Sequence, residues 1–138
     1  MADRLKKLLY IRQTQERQSR QALAQAQDRT DQARQQLDEL QDIAQDYRDG
    51  HARTPQMTPG MLQQFRQFYG QLAKARAVQA DQVGQAEAAQ QTVQRHLLGH
   101  IQNRRSLEKV VAKRDQDLRM TQNRKQRRAQ SGSRKSLV

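Results

Sequence analysis

The chain has 138 residues, a single-domain length, with 34% hydrophobic and 4% aromatic residues. So lean a side-chain set, much of it Ala, cannot fill an ordinary compact core, and no Cys is present for disulfide or thiolate chemistry. The net charge of +12 is uneven: residues 104–138 hold twelve Lys or Arg against three acids, residues 1–103 fourteen against eleven.

Twenty-seven glutamines with few Gly and Pro argue against plain disorder and leave an elongated all-α protein. Near the N-terminus the apolar run Leu8, Leu9, Tyr10, Ile11 is too short for a signal-peptide core or a membrane span. A cytosolic protein is expected, with peripheral contact to a membrane left open.

The first predicted helix covers about residues 2–49. Its apolar and small residues recur at alternating spacings of three and four, from Leu5 and Leu9 through Leu23, Ala26, Thr30, Ala33, Leu37, Leu40, Ala44 and Tyr47. That is the heptad seam of a coiled coil. Asp49-Gly50 is a plausible stop, since Gly accepts positive φ.

Both prolines of the chain fall in ARTPQMTPGM, residues 52–61. Pro removes an amide donor and clashes with the preceding helical turn, so a turn is expected at about 50–58. Thr58 is placed to cap the next helix, with Pro59 at the first helical position, where a missing N–H costs nothing.

The second helix is predicted over about 59–128. The seam resumes at Leu62, Phe65, Tyr69, Leu72, Arg76, Gln79 and Val83, and runs on through Leu97, His100, Arg104, Leu107, Val111, Arg114 and Leu118. A connection of about a dozen residues favours antiparallel neighbours. The expected fold is therefore two long helices in an antiparallel coiled-coil hairpin over 1–128, the second longer and basic. Residues 129–138, containing SGSRKS, read as a disordered basic tail.

One register places Tyr47 opposite Leu62, Ala44 opposite Phe65, Leu40 opposite Tyr69, Leu37 opposite Leu72, Ala26 opposite Val83 and Leu23 opposite Ala86. Large residues then mostly face small ones. In that register Leu107 faces Ala2, so helix two overhangs beyond about residue 108.

No catalytic constellation and no cofactor motif is present. His96 and His100 have a spacing that can bring two imidazoles to one metal, but no third ligand is near, so His100 reads as a polar seam residue and His96 as a surface one. The basic C-terminal end could meet phosphates or an anionic membrane. No aromatic residue follows Tyr69 to stack on bases, and a basic leucine zipper carries its basic region before the zipper rather than after it. No specific nucleic-acid partner is expected, and a nucleic-acid- or ribosome-associated basic coiled coil stands as the alternative reading from a different class. Around the turn, Ile43 and Phe68 lie one step off the seam, which predicts an exposed apolar strip of the kind that binds proteins.

Across nearly the whole chain, YRDG, the Pro/Gly turn, LQQFRQFYGQLAKA and RRSLEKVVAKR resemble the FliJ family of the bacterial flagellar type III export apparatus. Related stalk proteins of virulence secretion systems, of the YscO type, share the architecture. The resemblance implies a non-enzymatic stalk whose termini enter the hexameric export ATPase and whose turn-proximal part contacts the membrane export gate. Export chaperones are implied as further partners. Carried onto this sequence, the gate-contacting line falls on Gln36, Leu40, Ile43, Tyr47, Phe68, Leu72, Ala75 and Gln79. Family members often carry Tyr and His where Ile43 and Gln79 stand, and the acids common near the family's C-terminus are missing after Asp117. The charges available to an acidic ring are Arg104, Arg105, Lys109, Lys113, Arg114 and Arg119.

Overall fold

A computed structural model describes residues 2–53 and 56–136. They form two helices, α1 (Ala2–Arg53) and α2 (Pro59–Ser136), and no strand occurs among the described residues. The contacts divide the chain into two compact units: residues 20–96, a helical hairpin closed by the turn, and residues 1–19 with 97–138. Both helices contribute to both units.

Periodicity reports burial faithfully. Every seam position from Leu5 to Tyr47 and from Leu62 to Val111 is buried or half-buried. Arg114 and Leu118, which continue the sequence pattern, are exposed. The core of the hairpin unit is thin: Ala26, Ala44 and Leu72 are its buried apolar residues, and Thr30 and Gln79 are buried beside them. Polar seam residues find backbone partners. The Thr30 hydroxyl donates to the Ala26 carbonyl at 3.0 Å, and the Gln79 amide crosses to the Ala33 carbonyl at 2.9 Å.

Three boundaries differ from the sequence expectation. The first is that α1 passes through Gly50 to Arg53, and no described Gly has positive φ. A Gly inside a helix costs up to about 1 kcal/mol relative to Ala. Continuing the helix brings the His51 ring onto Phe65 at a centroid separation of 4.0 Å, a contact that the earlier stop would forfeit. Of the expected turn, Gln56, Met57 and Thr58 have no regular structure, while Thr54 and Pro55 lie outside the described residues. Thr58 caps α2: its hydroxyl accepts the Met61 N–H at 3.2 Å, its carbonyl accepts the Leu62 N–H at 3.0 Å, and Pro59 is the first helical residue.

The second difference is the C-terminal stretch, expected to be disordered from 129 and helical here through Ser136. Once nucleated, a helix adds residues at little cost. The third difference is the overhang. Side chains of 116–132 are all exposed, so paired structure reaches about one heptad beyond residue 108.

The register explains that shift. Tyr47 stacks on Phe65 and touches Phe68, rather than facing Leu62. Leu37 shares a shallow groove with Ala73, Arg76, Ala77 and Ala80 rather than meeting Leu72. Ala22 to Arg29 run alongside Ala86 to Val93, so Leu23 and Ala86 are not partners. The helices are displaced by about one heptad from the sequence-derived pairing. Charge and aromaticity decide it. In the expected register Glu16 would face Val93, whereas the structure buries its carboxylate against the Arg104 guanidinium. An uncompensated buried carboxylate is far costlier than a mismatch in side-chain size.

Candidate functional site

The eight residues nearest the turn that the family resemblance singles out all lie in the hairpin unit. Each helix supplies four at spacings of four, three and four, which form one helical face. The observed register brings the two faces together as four rungs: Gln36 with Gln79, Leu40 with Ala75, Ile43 with Leu72, Tyr47 with Phe68. Both end rungs are in contact. The Gln79 amide donates to Gln36 Oε1 at 3.1 Å, and the Tyr47 and Phe68 rings lie 4.5 Å apart at a 44° tilt.

The strip is not uniformly accessible. Ile43 is 47% and Phe68 42% exposed, and Gln36 and Ala75 are also open. Leu40 and Tyr47 are half-buried. Leu72 at 8% and Gln79 at 9% are buried, so they support the strip from beneath. Ile43 and Phe68 make its apolar face, and Met61 is a further exposed apolar residue at the start of α2.

Under one end of the strip lies a ladder of rings. Phe65 stacks on Tyr47 at 4.9 Å, on His51 at 4.0 Å and on Tyr69 at 5.8 Å. The Arg48 guanidinium donates to the Tyr69 phenol at 2.5 Å and lies 5.8 Å from its ring centre. That hydrogen bond holds the Tyr69 phenol below its ordinary range and raises Arg48 above its own. Sequence reasoning missed His51 because it ended α1 at Gly50. The signal was present, since 51 is the next position of the seam after Ala44 and Tyr47.

The six basic residues divide differently. Arg104 is engaged within its own unit: its guanidinium donates to the Glu16 carboxylate and, at 2.9 Å, to Glu108. The Glu16 bond is the main reason that its ionisation is pushed up. Arg105, Lys109, Lys113, Arg114 and Arg119 are exposed. At about 100° per residue, Arg105, Lys109, Lys113 and Arg119 share one arc of α2 and Arg114 lies on the other side. The available basic face is thus four residues, not six.

His96 is exposed, and His100 is half-buried in the seam with a buried Nδ1 that has no hydrogen-bond partner. Among the described residues no three His, Cys, Asp or Glu side chains gather where they could hold a metal, and no helix is long and apolar enough to cross a membrane. A family profile described as "Flagellar FliJ protein" matches residues 1–130. No curated protein and no solved structure matches the chain.

Proposed function

Because the chain belongs to the flagellar FliJ protein family, whose members are non-enzymatic components of type III export, we propose that it is the stalk coupling the hexameric export ATPase to the membrane export gate. In this reading it serves flagellum assembly and motility from the cytoplasmic face of the membrane. The strip of Gln36, Leu40, Ile43, Tyr47, Phe68 and Ala75 meets the gate, with Leu72 and Gln79 fixing its geometry. Arg105, Lys109, Lys113 and Arg119 meet acidic groups of the ATPase ring. Export chaperones are further partners of the same machinery.

The observation that carries the reading is the strip itself. Two helices contribute matching four-residue faces, and their open members include a large aliphatic and an aromatic side chain. Such a face on a two-helix scaffold is costly to leave in water and suits a protein partner. A coupling stalk needs no catalytic group, and only surfaces have to be supplied.

The test uses the exposed members, whose loss leaves the ring ladder in place. In a pull-down with the soluble part of the export gate, Ile43→Ser with Phe68→Ser should reduce capture about 5- to 150-fold, since losing one or two buried contacts of this size removes roughly 1–3 kcal/mol. Capture equal to that of the unaltered protein would refute the assignment of the strip.

A further inference from the structure

The last part of α2 has a feature that the coupling reading does not use. From residue 116 to residue 132 every side chain is exposed, so this stretch packs on neither helix. Its sequence, QDLRMTQNRKQRRAQSG, has no acid after Asp117. Among the described residues, Arg124, Lys125, Arg127 and Arg128 make no ion pair.

The charges are one-sided. At about 100° per residue, Arg124, Arg127 and Arg128 fall within a single arc of about 100°, the i, i+3, i+4 relation of one helix face. The far side of the helix carries Leu118, Gln122, Gln126 and Ala129, and Lys125 stands on a flank. No apolar stripe accompanies the basic one, because Leu118 and Met120 lie well over a right angle apart around the axis.

We propose that this row docks on the flat anionic headgroup surface of a lipid bilayer. A plane touches one face of a helix, and this helix concentrates its cations on one face. A duplex nucleic acid presents phosphates on both walls of a groove and would call on both flanks, where only Lys125 stands. A single strand would call on aromatic stacking, and no aromatic residue follows Tyr69. With no apolar stripe to insert, the contact is electrostatic, reversible and sensitive to salt. The inference goes beyond the preceding reading: it concerns chains whose C-terminal end is not inside the ATPase ring, and its test uses lipid alone and does not depend on the gate or the ATPase.

The experiment is co-sedimentation of the full chain with vesicles of phosphatidylcholine alone or with about one third phosphatidylglycerol, alongside anisotropy binding to a short DNA duplex at the same ionic strength. A basic residue near an anionic membrane contributes about fivefold in affinity. Arg124→Gln, Arg127→Gln and Arg128→Gln together should therefore lower binding to the anionic vesicles about 100-fold. Arg17→Gln, Arg29→Gln and Arg95→Gln remove as much charge from exposed sites elsewhere and should lower it less than about fivefold. Gln is a good helix former, and circular dichroism checks that helicity is kept. Equal binding to both vesicle types would overturn the proposal. So would equal losses in the two triple variants, or tighter binding to the duplex than to the anionic vesicles.

Discussion

Phe65 is the residue on which the observed register can be tested energetically. Its ring meets Tyr47 at 4.9 Å and 8°, His51 at 4.0 Å and 21°, and Tyr69 at 5.8 Å and 14°. Aromatic pairs add about 0.5–1.5 kcal/mol each beyond area burial. Truncating a fully buried Phe costs about 3–5 kcal/mol, and Phe65 is half-buried. Phe65→Ala should then destabilise the chain by about 2–4 kcal/mol, measured by urea denaturation followed by circular dichroism. Phe68→Ala, at an exposed position with the Tyr47 ring as its aromatic neighbour, should cost about 1 kcal/mol. The sharper quantity is the coupling in a Tyr47→Ala, Phe65→Ala double-mutant cycle, about 0.5–1.5 kcal/mol if the rings stack as described. With Phe65 against Ala44 the two aromatic rings would not stack. A coupling indistinguishable from zero, with Phe65→Ala no costlier than Phe68→Ala, would refute the register.

Gly84 lies in α2 with nothing within 4 Å of where a Cβ would stand, so Gly84→Ala should stabilise the fold by up to about 1 kcal/mol in the same denaturation assay. The Arg34–Glu87 bridge, at 3.0 Å with side chains 56% and 45% exposed, should contribute less than about 1 kcal/mol, and salt should weaken it further. Ultraviolet titration of a Tyr10→Phe, Tyr47→Phe protein should place Tyr69 below the ordinary phenol value of 10.0 because of the Arg48 hydrogen bond, and Arg48→Gln should return it upward. A phenol with a lowered folded pKa contributes its charged-pair stability above the unfolded value. That stability is lost as pH falls through the folded value, so the ion-pair gain is absent at neutral pH, where only the hydrogen bond to the neutral phenol remains.

Much of this architecture was legible in the residues. Both helices, the seam as far as Val111 and the Thr58-Pro59 start of α2 follow from heptad spacing and cap chemistry, which are local. Register is a non-local choice between near-degenerate pairings. Matching large side chains to small ones left Glu16 opposite Val93 and gave Phe65 only Ala44. Opposite charges on the two helices, Glu16 with Arg104 and Arg34 with Glu87, carry the information that size matching lacked. Gly50 misled for a related reason. A local stop signal of about 1 kcal/mol is overruled when four more helical residues bring His51 onto Phe65. The strip residues came from the family resemblance, and the exposure of Ile43 and Phe68 followed from their place beside the seam. Leu72 and Gln79 are buried because they are seam positions that face the other helix, whereas Ile43 and Phe68 stand one step off the seam and are exposed.

The account depends on α1 and α2 pairing antiparallel within one chain so that the two halves of the strip become one face. As the chain has no native Cys, cysteine pairs report this directly. Gln36→Cys with Gln79→Cys, placed where the side chains are 3.1 Å apart, should crosslink rapidly within a single molecule at high dilution, and Leu37→Cys with Leu72→Cys should not. Faster closure of the second pair, or crosslinks that form only between molecules, would contradict the fold-back and the surface built on it.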